Sequence, residues 1–250
     1  MSHSNRWLAP LCLLAVVLWS IFMPIPATAE GTEETLTLET EDGWQIGATL
    51  HLPAAMGKAP AVILIHQGGS ERGEWAPYIP PLVARGYVVL AYDVRGHGAS
   101  GEVDDLRALF DDPQQAPKDL DTVIAYLRDH PAVDELRIAV VGSSIGANLA
   151  VAANHHYGAL GVAIAGKTSA ARHLADLQEG EALNLKGMFY IAAAGDQDGE
   201  RARWAREMYD LTAEPRRLWI VEGSAAHGVG VFEDSRATFE RLLRWLKERL

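Results

Sequence analysis

Six short, uninterrupted apolar runs, at 61–65, 87–92, 138–141, 162–165, 188–193 and 218–221, constrain this chain more than any other feature. Runs of that length without polar alternation mark strands buried on both faces. Segments of helical period separate most of them: Trp75, Ile79, Leu82 and Val83; Leu120, Val123, Ile124 and Leu127; Ala202, Ala205, Met208 and Tyr209. A last one carries Phe239, Leu242, Leu243, Leu246 and Leu250. Strand and helix in alternation predict an α/β fold, a mostly parallel sheet with helices on both faces. Ahead of it, Leu36 and Leu38 and then Ile46, Ala48, Leu50 and Leu52 alternate around Asp42-Gly43, a turn signal, which predicts an antiparallel hairpin. The polar stretch 112–118 reads as a bend before a helix rather than a linker, so residues 30–250 are expected to form one domain.

Residues 1–29 read as a targeting segment. Arg6 supplies the leading positive charge, 8–23 is an uncharged apolar run, and Ala27-Thr28-Ala29 offers a small-residue cleavage site before Glu30. The run approaches the length that spans a bilayer, so an uncleaved anchor is the competing reading; Pro24 and Pro26 next to the small-residue site favour cleavage. The single cysteine, Cys12, lies within this segment, outside any lipid-attachment context. A cleaved product would be exported, to a periplasm or beyond, without a disulfide to hold it together and without a membrane contact.

Charge excludes one class of partner. Lys and Arg total 22 against 33 for Asp and Glu, a formal charge of -11, so a nucleic-acid backbone would meet net repulsion. No phosphate loop, dinucleotide fingerprint or other cofactor motif is expected. His155-His156 with His173 raises the thought of a metal, but adjacent histidines on a helix cannot face one ion, and no metal is expected.

The apolar run at 138–141 leads straight into Gly142-Ser143-Ser144-Ile145-Gly146 and then a helical segment. Strand, G-x-S-x-G turn and helix form the setting in which a serine hydroxyl is pushed clear of the backbone. A side chain at 142 or 146 would strike the neighbouring strand or helix, which accounts for both glycines. Ser144 is the candidate nucleophile; Ser143 is out of register with the glycines. A hydroxyl needs a base within hydrogen-bond reach and a carboxylate to hold that base in the right tautomer. Of the nine histidines, His227 is the best base, because it sits in the loop between the last apolar run and the terminal helix, whereas His130, His155 and His156 lie at helix ends. The acid is expected after the preceding strand, in Gly195-Asp196-Gln197-Asp198. Asp196 stands three residues past the apolar run and is preferred; Asp198 needs more loop and is the alternative. An oxyanion would take its N–H donors from Ile145 and from the glycine-rich 66–70 loop, at Gly68 or alternatively Gln67.

Taken together, Asp42-Gly43, His66-Gln67-Gly68-Gly69, Gly86-Tyr87, the run from Asp93 through Arg95, Gly96 and His97 to Ser100, the serine turn, and Ser224 to Gly228 resemble an α/β-hydrolase. The likeness is to the dienelactone-hydrolase-like and serine-esterase branches, and it extends from Leu36 to the C-terminus. The resemblance implies that His66, Asp93, Arg95 and His97 are structural. Two departures stand out: Gln67 occupies a position where many members have glycine, and the nucleophile is serine rather than the cysteine of dienelactone hydrolases proper. The expectation is an exported serine hydrolase acting on a small acyl substrate, most simply an ester. A peptidase or amidase on the same fold is the second reading, and a binding protein that keeps the fold without turnover is the third. The segment 166–187 is short and poor in large aliphatics, so only a minimal cap is expected over the site.

Overall fold

The computed structural model describes residues 31–250 apart from 55, 56 and 111, and leaves the side chain of Phe110 undescribed. The targeting segment expected at 1–29 lies outside the described residues. Eight strands form one sheet: β1 (Thr32–Glu39), β2 (Gln45–Leu52), β3 (Ala59–Ile65), β4 (Val88–Tyr92), β5 (Val133–Ser143), β6 (Leu160–Ile164), β7 (Leu185–Ala193) and β8 (Thr212–Val221). Their order is β1-β2-β4-β3-β5-β6-β7-β8. β1 pairs antiparallel with β2, and β2 antiparallel with β4, while every pairing from β4 to β8 is parallel.

The helices are α1 (Ile79–Val83), α2 (Ala116–Asp129), α3 (Ile145–Tyr157), α4 (Thr168–Leu174), α5 (Glu200–Leu211), α6 (Val231–Asp234) and α7 (Arg236–Arg249). Side chains alternate across the pleat, so adjacent strand residues enter opposite cores. Ile63, Ile65, Leu90 and Val140 pack with α2, α3 and α5 through Leu120, Leu149 and Met208. Val62, Leu64, Val89 and Val141 pack with α1 and α7 through Leu82, Leu242, Trp245 and Leu246. Among the described residues no helix is long and apolar enough to cross a membrane.

Three local expectations need correction. The run 218–221 is not buried on both faces: it belongs to edge strand β8, and Leu218, Trp219 and Ile220 are only partly buried because no further strand covers them. The first helical segment is broken into a 3-10 turn (Arg72–Trp75) and the short α1, since Pro77, Pro80 and Pro81 remove backbone donors. The polar bend ends at Gln115, and α2 starts at Ala116 with Pro117 in its first turn, where a missing N–H costs nothing.

Candidate active site

Ser144 lies between the end of β5 and the start of α3, with φ 53 and ψ -105, a conformation that L side chains rarely adopt. The surrounding structure holds it there: its N–H donates to the Ile164 carbonyl at 2.9 Å. Both glycines are required by contact. A Cβ on Gly142 would overlap the Gly146 carbonyl, and one on Gly146 would overlap the Ile65 carbonyl and come within 2.8 Å of the Ile65 Cβ. The hydroxyl therefore stands at the carboxyl edge of the sheet on a turn that only these two glycines allow.

His227 follows β8, and its Nε2 lies 2.9 Å from Ser144 Oγ while its Nδ1 lies 2.7 Å from Asp196 Oδ2. Asp196 is buried, and Ser144 is only 8% exposed. Asp198 is exposed and neither meets His227 nor caps α5, whose N-cap is Gly199. Positive φ at Gln197, Asp198 and Gly199 folds the chain back tightly, so Asp196 turns inward and Asp198 outward. The two loops are tied together: Gly195 N–H donates to Ser224 O at 2.8 Å, and a Cβ at Gly195 would crowd Ser224 and Ala225. The Ser224 hydroxyl donates to Asp234 at 2.6 Å and accepts the Ala226 N–H, which fixes the histidine loop against α6. No sequence motif marks Asp234 as a partner of this loop.

The 66–70 loop faces Ser144 across the carboxyl ends of β3 and β5. Glu74 Oε1 accepts the Gln67 N–H at 3.0 Å, and His97 Nε2 accepts the Gly69 N–H at 3.1 Å. Among the described residues the Gly68 N–H alone of these three has no partner, and Gly68 is exposed. The Ile145 N–H, at the first position of α3, is one of the donors that a helix leaves free. Burial pushes the Glu74 carboxyl up, against the pull of its bonds to Ser70 and Gln67. Ser143 is fully buried and its hydroxyl points to the Gln67 side chain at 3.5 Å, with no hydrogen bond to the imidazole among the described residues.

Beneath this loop, His66 accepts the Val94 N–H on Nε2 and donates from Nδ1 to Gln67 O. Asp93 takes the N–H groups of Arg72 and Ala99 and pairs with the Arg72 guanidinium. Arg95 is clamped between Asp119 and Asp42. His66, Asp93 and His97 thus hold backbone N–H groups, and Arg95 is held by two carboxylates. His155 and His156 sit at the far end of α3 from Ser144, whereas His173 lines the cleft beside Ser144, so the three histidines do not come together.

An imidazole bonded on one side to a hydroxyl and on the other to a buried carboxylate can accept the hydroxyl proton and return it to a leaving group. The family described as serine aminopeptidase, S33 matches residues 58–174, just under half of the chain. The esterase of Pyrococcus furiosus superposes with a TM-score of 0.67 at 21% identity, over 88% of this chain and 93% of that one. The dienelactone hydrolase of Anabaena variabilis superposes with a TM-score of 0.69 at 19% identity, over 88% and 99%. The chain has the α/β-hydrolase fold. Among curated sequences, the hydrolyase poxO of Penicillium oxalicum is 28% identical over 149 residues, 58% of this chain and 34% of poxO. Alignments of this hydrolase-fold chain span less than half the length of the curated relatives it matches. The matched family segment contains the 66–70 loop and Ser144 but stops before Asp196 and His227, which follow β7 and β8.

Beside Ser144 opens a cleft of about 330 Å³ lined by Ser144, Asn148, Lys167, Ser169, Ala170, His173 and Arg201. Of these residues sequence pattern marks only Ser144 as a candidate for this site; His173 is raised only within the rejected metal cluster. Their periodicity reads as ordinary helix, and only the turn after β6 and the start of α5 bring Lys167 and Arg201 to one opening.

Proposed function

We propose that the protein is an exported serine hydrolase that cleaves carboxylic esters through an acyl-enzyme on Ser144. The observation that carries this reading is the unbroken hydrogen-bonded series from the Ser144 hydroxyl through His227 to the buried Asp196. His227 Nε2 takes the Ser144 proton as Oγ bonds to the acyl carbon, and the resulting oxyanion is met by the N–H groups of Ile145 and Gly68. Collapse expels the alcohol, which leaves with the proton held by His227. Water then enters by the same route: His227 takes its proton, the hydroxyl oxygen attacks the acyl carbon, and Ser144 leaves with that proton restored. Asp196 holds the proton-bearing Nδ1 and balances the imidazolium that forms twice per cycle.

The fold shared with the Pyrococcus esterase and the Anabaena dienelactone hydrolase supports an ester substrate. The serine aminopeptidase family match favours a peptidase as the second reading. A free peptide amine would seek a carboxylate, and the cleft beside Ser144 presents Lys167 and Arg201 instead, which weighs toward esters. A fluorophosphonate probe should label the wild-type protein on Ser144 and leave Ser144→Ala unlabelled, and 4-nitrophenyl acetate should be turned over far faster than an aminoacyl arylamide. Labelling elsewhere, or arylamide turnover exceeding ester turnover, would reject the reading. Export is tested by the N-terminus of the released protein, expected at Glu30; a Met1 terminus in a membrane fraction would contradict it.

A further inference from the structure

The ionisable side chains that line the cleft next to Ser144 are all basic. The chain carries 33 acidic against 22 basic residues, yet Lys167, His173 and Arg201 line this opening and no carboxylate does. Among the described residues neither Lys167 nor Arg201 has an acid within salt-bridge distance, although Asp196 and Glu200 are near enough to act on the Arg201 charge. Asp196, the nearest buried acid, is engaged by His227. Two unpaired cations in a concave site, within an acid-rich protein, are what a site for a fixed negative charge on a ligand requires.

The cations are also held in place. Arg201 Nη1 donates to the Ala165 carbonyl at 2.7 Å and Nε to the Gln197 side chain at 3.1 Å, which leaves Nη2 uncommitted. Arg201 and Lys167 both lie over the Trp204 ring, at 5.2 and 5.4 Å from its centroid, beside Arg203, which Glu200 pairs, so the indole helps position the two cleft charges. The buried Asn148 uses Oδ1 to accept the Lys167 N–H at 2.8 Å, fixing the base of the lysine and leaving its Nδ2 donor without a protein partner among the described residues. A guanidinium edge, an ammonium and an amide donor together match the two oxygens of a carboxylate.

We infer that this cleft binds a carboxylate carried by the substrate, so that the preferred esters are anionic ones. The inference rests on the hydrolase reading above. Hydrolysis itself is unchanged: the ester C–O bond breaks, water supplies the hydroxyl to the acyl carbon and a proton to the alcohol, and the bound carboxylate takes no part in bond making. It orients the ester so that its carbonyl meets Ser144.

The charge could sit on either arm of the ester, so the assay uses two matched pairs followed by acid release at constant pH. Monoethyl glutarate against ethyl pentanoate places the carboxylate on the acyl arm; 4-acetoxybutanoate against pentyl acetate places it on the alcohol arm. Alkyl leaving groups are chosen because a neighbouring carboxylate does not expel them by itself. For one of the pairs, kcat/KM of the anionic ester should exceed that of the neutral one by at least tenfold in low salt. That ratio should shrink as salt is raised toward about 0.5 M, where screening shortens to a few ångströms. Lys167→Glu, an exposed position whose change spares the core, should cut the ratio at least tenfold, and Lys167→Arg should largely restore it. A ratio near one in both pairs, or a ratio indifferent to Lys167→Glu, overturns the carboxylate site while leaving the esterase reading intact. Turnover that survives Ser144→Ala, or no labelling and no turnover of any ester, overturns the hydrolase reading and this inference with it. Labelling of Ser144 without turnover of either pair overturns the substrate class alone.

Discussion

Replacing Asp196 by Asn tests the site most sharply, because it keeps shape and removes one charge. In the wild-type protein the carboxylate lies 2.7 Å from His227 Nδ1, which requires that nitrogen to carry the proton and leaves Nε2 free to accept from Ser144 at 2.9 Å. If the Asn carbonyl faces the ring, the tautomer survives and only the charge is lost. The charge centres are then about 4 Å apart, and an effective dielectric near 20 makes the lost attraction to the imidazolium about 4 kcal/mol, roughly 10³ in rate. If the Asn amide faces the ring, Nδ1 must become the acceptor, the proton moves to Nε2, and the base is aimed the wrong way; the loss then approaches about 10⁴. Steady-state hydrolysis of 4-nitrophenyl acetate should accordingly show kcat/KM reduced about 10³- to 10⁴-fold for Asp196→Asn, with an unchanged melting curve. Asp198→Asn, exposed and without a bond to the imidazole, should stay within about threefold of wild type. A loss below tenfold at Asp196, or a larger loss at Asp198, would refute the assignment of the acid.

Other consequences concern the substrate and the scaffold. A covered methylene contributes about 0.8 kcal/mol, roughly fourfold per carbon, but the cleft offers only Ala170 as apolar wall, and Leu174, Leu183 and Leu185 of the 166–187 segment are buried in the core. A 4-nitrophenyl ester series should therefore peak between acetyl and butyryl; rates climbing steadily to dodecanoyl would reject the short cleft. Asp119→Ala strips the fully buried Arg95 of its Nε and backbone partners, so stability should fall by about 3 to 5 kcal/mol and calorimetry should show a melting point lower by about 10 °C. Asp42→Ala, whose carboxylate is one-third exposed, should cost less, and equal losses would contradict the clamp. Burial, which denies an imidazolium its water, holds His66 at about 4, below its ordinary 6.5, and protonating Nε2 would also set a proton against the Val94 N–H. Its contribution to stability is thus complete above pH 6.5 and is lost as pH falls toward 4, by up to about 3 kcal/mol; urea midpoints measured across that window should slope less in His66→Gln, and an identical slope would refute the cause.

The local pattern of the chain determined a good deal. Continuous apolar runs specified the parallel strands because a strand covered on both faces has no room for polar side chains, and Asp42-Gly43 specified the hairpin turn. Gly142 and Gly146 announced the serine turn because no other residue fits against the Gly146 and Ile65 carbonyls. What the chain could not declare was anything that depends on distance between segments far apart in sequence. Asp196 and Asp198 are equivalent as letters; only the run of positive φ from Gln197 to Gly199 turns one inward and the other to solvent. Gly68 and Gln67 differ as oxyanion donors only because Glu74, from the next turn, occupies the Gln67 N–H. The edge exposure of β8 follows from strand order, which no single strand encodes. The cationic cleft is the plainest case: Lys167 and Arg201 lie 34 positions apart on surfaces that each read as solvated helix, and they meet because β6 and β7 are neighbours in the sheet and deliver α4 and α5 to the same edge. Sequence pattern reports what each segment buries, whereas which segments share an edge is settled by the packing of the whole sheet.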